Sequence, residues 1–307
     1  MNTQLYHARQ LSANVWVLAG RTNTGVIAGD DGLYLIDTGA GQGAGVQILN
    51  QITRIFGKGR HIRAILNTHS HADHTGGNAY LKRETGCEIW MPEGERGPAE
   101  NNALETIIEW GGFPLPEMEA PLFTAEPAAV TRPIRHGETI PTGGGMIHTV
   151  PLPGHFLDML GYVYTDADGT AAAFLGDGIF GRDYIKKYWI PYLLNTTEFK
   201  ETLNRINGIS AHYYVPGHGE ISTDITGRVE LNMIAVLETE LAIIGILKTP
   251  HTADELVKEI ADLNSMNMKV GQFVLISSTI RSYLSSLYRE RRVFYTVTGN
   301  RMLWQAR

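Results

Sequence analysis

Cysteine is almost absent from this chain. A single residue of this type, Cys87, among 307 excludes an intramolecular disulfide framework and fits a reducing compartment. It falls in a probable strand, 86–90, where a buried structural thiol is expected. No apolar run approaches the roughly 20 residues that a membrane-crossing helix needs. Residues 1–20 hold no basic stretch leading into a continuous apolar core and no small-residue cleavage site, so no secretory leader is read there and a cytoplasmic protein is expected. Basic excess is missing too. The formal net charge of -6 argues against a nucleic-acid-binding surface spread over the whole molecule, though not against a local basic patch. The rest is ordinary globular composition, 43% hydrophobic and 19% charged, with length enough for a sizeable core and more than one domain.

Against that background, residues 67–77 stand apart: Asn-Thr-His-Ser-His-Ala-Asp-His-Thr-Gly-Gly. His69, His71, Asp73 and His74 fall within six residues, directly after an apolar run (Ile62, Ala64, Ile65, Leu66) that reads as a buried strand. Two residues apart on extended backbone, His69 and His71 leave the chain on the same side and can share one cation. Asp73 and His74 sit where the chain must turn, Gly76 and Gly77 supply turn freedom, and a helix is expected over 78–82. Three imidazoles and a carboxylate exceed what one open catalytic site takes from a single loop, because a catalytic zinc keeps three protein ligands and a free position. Two ions are the simpler expectation.

His-x-His-x-Asp-His at a strand end resembles the hallmark of the metallo-β-lactamase superfamily. The resemblance continues in order through Asp37 in Leu-Ile-Asp-Thr-Gly, His155 in Pro-Gly-His, Asp177 in Leu-Gly-Asp and His218 in Val-Pro-Gly-His-Gly. It spans about residues 15–220 and implies an α/β fold, a four-layer αββα sandwich, over residues 1–225. It also implies that His69, His71 and His155 hold a first metal, that Asp73, His74 and His218 hold a second, and that Asp177 bridges them. Asp37 would support the metal loop from behind. Two zinc ions are expected because mixed imidazole and carboxylate ligation suits zinc, with iron and manganese able to occupy similar sites. The related diiron reductases carry a glutamate where this chain has His71, which counts against an oxygen-reducing role. Phe156 departs from the small or hydroxylated residue usual after the third histidine, and should narrow or dry one side of the pocket. His148 lies within a strand and reads as structural.

The flanking segments fit the same plan. Strands are expected over 14–18, 23–28 and 33–36, then a helix over 45–56 with apolar positions at helical spacing. Residues 91–130 carry six prolines around one helix-like stretch, 102–110, and read as an insertion. It is either an overhang that shapes substrate choice or a surface excursion or dimer contact, with Trp110, Phe113 and Met118 as candidates to face a substrate or a partner. Strands follow over 130–134, 146–150 and 170–175. The aromatic segment 184–192 offers Tyr188 and Tyr192, with Tyr184 a poorer choice, as a hydroxyl able to stabilise an oxyanion as in several family hydrolases; a hydrophobic hinge or dimer surface is the competing reading. Lys186 and Lys187 read as an attractor of anions or simply a solvated face. A helix over 197–206 and a strand over 213–215 deliver His218.

Residues 226–250 are expected to form a connecting helix, with 251–307 a small C-terminal domain of helices and a hairpin around residues 298–300 that resembles a winged helix. Arg281, Arg289, Arg291, Arg292, Arg301 and Arg307 against Glu290 make nucleic acid an alternative partner there. The leading expectation is a hydrolase using a metal-bridging hydroxide on a small ester, thioester or lactone, with Asp73 orienting the hydroxide and relaying its proton. Alternatives are a phosphodiesterase or ribonuclease using the basic tail, and a non-catalytic sensor or nucleic-acid-binding protein with a structural metal. A β-lactamase is disfavoured for want of an export signal, and a glyoxalase-type enzyme for want of that family's glutathione-binding C-terminal pattern. A small molecule is the expected partner, a homodimer is left open, and no membrane is involved.

Overall fold

The computed structural model describes residues 6–101, 103–189 and 191–307. Asn102, at the start of the helix expected over 102–110, lies outside them, as do Ile190 and residues 1–5. The first sheet takes its seven strands in chain order: β1 (His7–Gln10), β2 (Val15–Ala19), β3 (Thr24–Gly29), β4 (Gly32–Ile36), β5 (Ile62–Leu66), β6 (Glu88–Pro92) and β7 (Arg132–Ile134). The pairs from β1 to β4 are antiparallel and those from β4 to β7 parallel. A second sheet has the order β12-β11-β10-β9-β8 and consists of β8 (Thr139–Pro141), β9 (Gly145–Pro151), β10 (Leu160–Asp166), β11 (Ala171–Gly176) and β12 (Tyr213–Pro216).

Helices cover the outer faces. They are α1 (Gly41–Phe56), α2 (Ala72–Thr75), α3 (Asn78–Thr85), α4 (Arg96–Glu100), α5 (Ala103–Trp110), α6 (Arg182–Tyr188), α7 (Thr196–Asn207), α8 (Thr226–Ile246), α9 (Ala253–Leu263) and α10 (Val270–Arg289). A hairpin, β13 (Val293–Thr298) and β14 (Arg301–Ala306), ends the chain. Three buried clusters account for the layering. Val17, Ile27, Ile36, Leu66, Ile147, Tyr162 and Phe174 pack between the two sheets. Leu33, Leu35 and Ile65 join Ile48 and Ile52 of α1 on one outer face. Ala173 and Leu175 join Phe199, Leu203 and Val236 on the other. β4 and β11 are therefore buried on both sides, which is why they read as unbroken apolar runs rather than alternating ones.

The last cluster does not stop at residue 250. Leu256 and Ile260 of α9, Ile280 and Leu284 of α10 and Val293 belong to it together with β11 and α7. Glu240 on α8, 2% exposed, accepts hydrogen bonds from Lys200 Nζ at 2.7 Å and Arg292 Nη1 at 2.6 Å, so the tail is also joined to α7 by charge. Thr252 and Glu255 form a reciprocal N-terminal cap on α9.

Several sequence expectations shift. α1 starts at Gly41, four residues early, because its glycines lower local helix propensity without preventing the helix. Gly45 serves packing: a Cβ there would lie 3.0 Å from the Gly77 carbonyl oxygen, so a bare backbone lets α1 approach the metal loop. β1, β8 and β10 were not expected. β1 is exposed at every residue and β8 has only three, and neither carries the alternation that marks a half-buried strand. Met118, expected to face a substrate or a partner, is fully buried in a 3-10 turn (Pro116–Glu119) that packs on α10. Phe113 is 88% exposed. Cys87 is buried and His148 bonds Thr139 Oγ1 at 3.0 Å.

Phe174 packs between the sheets in the strand that leads to Asp177. Phe174→Ala should lower unfolding free energy by about 3–5 kcal/mol through the cavity it leaves, read as a reduced midpoint in urea with an unchanged slope.

Candidate metal centre

The turns that bear the chemistry follow the C-terminal ends of β4, β5, β9, β11 and β12. β4 and β5 are parallel, as are β11 and β12, and β9 runs with β11 because each is antiparallel to β10. Strand direction therefore gathers Asp37 and residues 67–77 at one end of the first sheet, and His155, Asp177 and His218 at one end of the second. Backbone hydrogen bonds from Leu160 N to Thr68 O (2.9 Å) and from Gly217 N to Gly176 O (2.6 Å) fasten these turns to one another.

Asp37 organises the metal loop. Buried and held at a φ of 59°, a conformation that aspartate tolerates better than most residues, it accepts the Thr68 backbone N–H and Thr68 Oγ1–H, both at 2.8 Å. Its Oδ2 also lies 2.8 Å from His74 Nδ1. A carboxylate only accepts, so His74 carries its proton on Nδ1 and turns the Nε2 lone pair inward. The same reasoning fixes three more rings. His155 Nδ1 donates to Tyr192 O at 2.8 Å and His218 Nδ1 to Arg21 O at 2.6 Å. The one hydroxyl proton of Thr68 is committed to Asp37, so His69 Nδ1 donates to Thr68 Oγ1 at 3.0 Å.

His71 is the reverse. Its Nδ1 faces inward, 3.0 Å from His69 Nε2 and 2.9 Å from His155 Nε2. Acceptor lone pairs gathered this closely repel one another unless a positive charge lies between them. On the other side His218 Nε2 is 3.2 Å from Asp73 Oδ2 and 3.4 Å from Asp177 Oδ2, and His74 Nε2 is 3.4 Å from Asp177 Oδ1. His74 Nε2 and Asp177 Oδ1 are buried and make no hydrogen bond. Potential ligand atoms thus form the groups His69/His71/His155, Asp73/His74/His218 and His69/His74/Asp177, each within 4.8 Å. Mixed imidazole and carboxylate donors with partnerless inward atoms fit divalent cations. A Cβ at Gly217 would overlap Asp177 Oδ1 and His74 Cε1, so glycine is needed for this approach.

Residues 17–218 match the sequence model of the metallo-beta-lactamase superfamily. The chain belongs to that superfamily. Among curated relatives it is 29% identical to a hydroxyacylglutathione hydrolase from Hyphomonas neptunium over 39% of this chain and 34% of that one. It is 30% identical to a probable metallo-hydrolase from Burkholderia pseudomallei over 43% of each. These matches therefore span well under half of either relative's length. A longer, weaker match, 22% identical, joins it to an atrochrysone carboxyl ACP thioesterase from Passalora fulva over 92% of this chain and 75% of that one. Among solved structures, a beta-lactamase domain protein from Burkholderia ambifaria superposes with a TM-score of 0.75 at 15% identity, covering 99% of this chain and 97% of that one. A metallo-beta-lactamase family protein from Thermus thermophilus gives 0.72 at 18% identity over the same shares. Both show the superfamily fold.

Of the tyrosines singled out from sequence, Tyr192 reaches the centre. Its ring lies 5.6 Å from those of both His71 and His155, and its buried hydroxyl, close to Ser278, makes no hydrogen bond. Tyr184 stacks on His218 at 5.3 Å, and Tyr188 packs on Tyr184 in turn. Phe156, fully buried, lies 4.3 Å from the His71 ring and does narrow that side. Sequence reasoning missed the glutamates of the insertion. Glu95, Glu105 and Glu109 are buried against the metal loop. The available signal was two acids four residues apart beside Leu104, Ile107 and Ile108 on a short apolar helix.

Burial lowers the basicity of His69, His71 and His155, with neighbouring imidazoles adding to the effect. Burial acts the same way on His74, but Asp177, Asp37 and Asp73 outweigh it and bring it up to about 10. His218 is likewise raised well above the usual range, burial being outweighed by Asp177 and Asp73. Burial would raise Asp73, yet His74 and His218 hold it down at about 2, and the same histidines with His155 keep Asp177 well below the carboxylate range. In metal-free protein at neutral pH, His74 and His218 hold protons that a cation must displace. Zinc affinity should therefore rise with pH across the neutral range, with proton release seen calorimetrically in buffers of different ionisation enthalpy. Asp37→Ala should weaken zinc binding by about 10–100-fold, measured by competition with a chromophoric chelator.

Proposed function

We propose that this protein is a dinuclear, zinc-dependent hydrolase of a small carboxyl ester, thioester or lactone, with thioesters first. The observation that carries the reading is the pair of ligand sets, His69/His71/His155 and Asp73/His74/His218, which meet at Asp177. The names of a hydroxyacylglutathione hydrolase and an acyl-carrier thioesterase among its relatives support the thioester choice. Two bound divalent ions would supply Lewis acidity toward a carbonyl and a water acidic enough to react near neutrality; iron or manganese could serve in place of zinc.

The chain's own groups divide the remaining work. Asp73, kept ionised by its histidine neighbours, is the proton acceptor and relay. Tyr192 offers a buried hydroxyl beside Ser278, assigned here to donating to a developing oxyanion. Tyr188 stands one ring further out, behind Tyr184. Phe156, Phe180 and Tyr192 keep the His155 side dry.

The winged-helix-like reading of residues 251–307 is retained as a packing element rather than a nucleic-acid module. Three of the six arginines are engaged: Arg281 pairs with Asp254, Arg292 with Glu240 and Glu290, and Arg301 with Glu255. Paired guanidinium groups have less charge to offer a phosphate backbone.

A matched panel of aryl esters, acyl thioesters, lactones, bis-aryl phosphodiesters and short RNA tests the reading on metal-quantified protein. Turnover of the carboxyl substrates, lost in His71→Ala, is expected; cleavage of phosphodiesters or RNA alone would overturn it. On an active substrate, Tyr192→Phe should lower kcat by about 10²-fold with KM little changed, and Tyr188→Phe should leave kcat unaltered.

A further inference from the structure

The insertion does more than overhang the site. Glu95, fully buried, accepts Ser70 Oγ–H at 2.6 Å and Ser70 N–H at 3.2 Å on one oxygen and Asp158 N–H at 2.8 Å on the other. It thus ties the metal loop to the turn that carries His155. Glu105, 4% exposed, accepts the Ala72 backbone N–H at 3.3 Å. Glu109, one helical turn on and 6% exposed, leaves its Oε2 buried without a hydrogen-bond partner. Two buried carboxyl groups on one short helix are costly unless something meets them.

His71 has the complementary need. Its Nδ1 is engaged beside His69 and His155. If that nitrogen presents a lone pair to a cation, the neutral ring must carry its proton on Nε2. That Nε2 is buried and makes no hydrogen bond. One ring nitrogen of His71 and one carboxyl oxygen from each of Glu105 and Glu109 lie within 4.8 Å of one another, a span that a small side-chain rotation or one bridging water closes.

We propose that Glu105 and Glu109 are positioning residues for His71: their carboxyl oxygens accept its Nε2–H, directly or across one water, and so hold Nδ1 on the first metal. The other four histidines take their orienting partners from the sandwich itself, from Asp37, Thr68, Tyr192 O and Arg21 O. His71 alone takes its partner from the insertion. An acceptor oxygen behind a ligating imidazole fixes its tautomer and orientation, so the insertion becomes part of the metal centre. This rests on the dinuclear reading above.

The test compares wild type with Glu105→Gln/Glu109→Gln and Glu105→Leu/Glu109→Leu, using zinc equivalents, chelator competition, the visible spectrum of the cobalt-substituted protein, and circular dichroism for folding. Wild type should bind two equivalents. The leucine pair should lose about 10–100-fold in affinity for one of them and shift the cobalt bands, whereas the glutamine pair, whose amide oxygens still accept, should keep much of both. If the leucine pair does not fold, Glu109→Leu, which removes only the carboxyl whose Oε2 has no hydrogen-bond partner, takes its place with the same expected direction. Unchanged affinity and spectrum in the variants would overturn the inference. A third zinc equivalent in wild type that the leucine variant lacks would do so too, because the pair would then be a ligand set. Wild type that binds no metal would instead overturn the dinuclear reading, and this inference with it.

Discussion

Each imidazole in this centre has two nitrogens, and the arrangement depends on fixing which of them faces inward. Asp37 does this for the loop as a whole, taking the Thr68 N–H, the Thr68 hydroxyl and His74 Nδ1 on a single carboxylate. Through the Thr68 hydroxyl it also fixes His69. Backbone carbonyls do the same for His155 and His218. A hydrogen bond to an imidazole N–H is modest alone; here each one also selects a tautomer, so its loss would alter the donor set as well as the stability.

The sandwich makes that selection possible because two of its strands are fully buried where site residues leave them. β4 and β11 are buried on both faces, and their C-terminal ends carry Asp37 and Asp177 into the same edge. Tyr162 of β10 donates its hydroxyl to Asn67 O at 2.6 Å, linking the second sheet to the loop grown from the first. The site is thus a property of how the two sheets meet, and core substitutions between them should be felt at the histidines and aspartates of that edge.

Much of the centre was legible in the sequence because its elements are short and local. His69, His71, Asp73 and His74 share one turn, and Asp37, His155, Asp177 and His218 each sit in a Gly-flanked strand end. The buried strands β4 and β11 were legible for a related reason, being continuous apolar runs, and β5 is such a run interrupted only by Arg63. What escaped reading depends on tertiary burial. β10 is defined by pairing on both sides, and Met118 reads as outward until α10 covers it. Glu95, Glu105 and Glu109 look like surface acids in a proline-rich stretch, since nothing local to them shows that the metal loop lies against them. Trp110 and Phe113 carried the outward reading of that stretch, while its acids turn inward.

The central claim is that two cations sit on this edge, shared through Asp177. Anomalous diffraction at the zinc edge, from crystals of zinc-loaded protein, tests it most directly. Two peaks about 3.5–4 Å apart are expected, one among His69, His71 and His155 and one among Asp73, His74 and His218, with Asp177 reaching both. A single peak, or none, in protein whose solution metal content is saturated would contradict it.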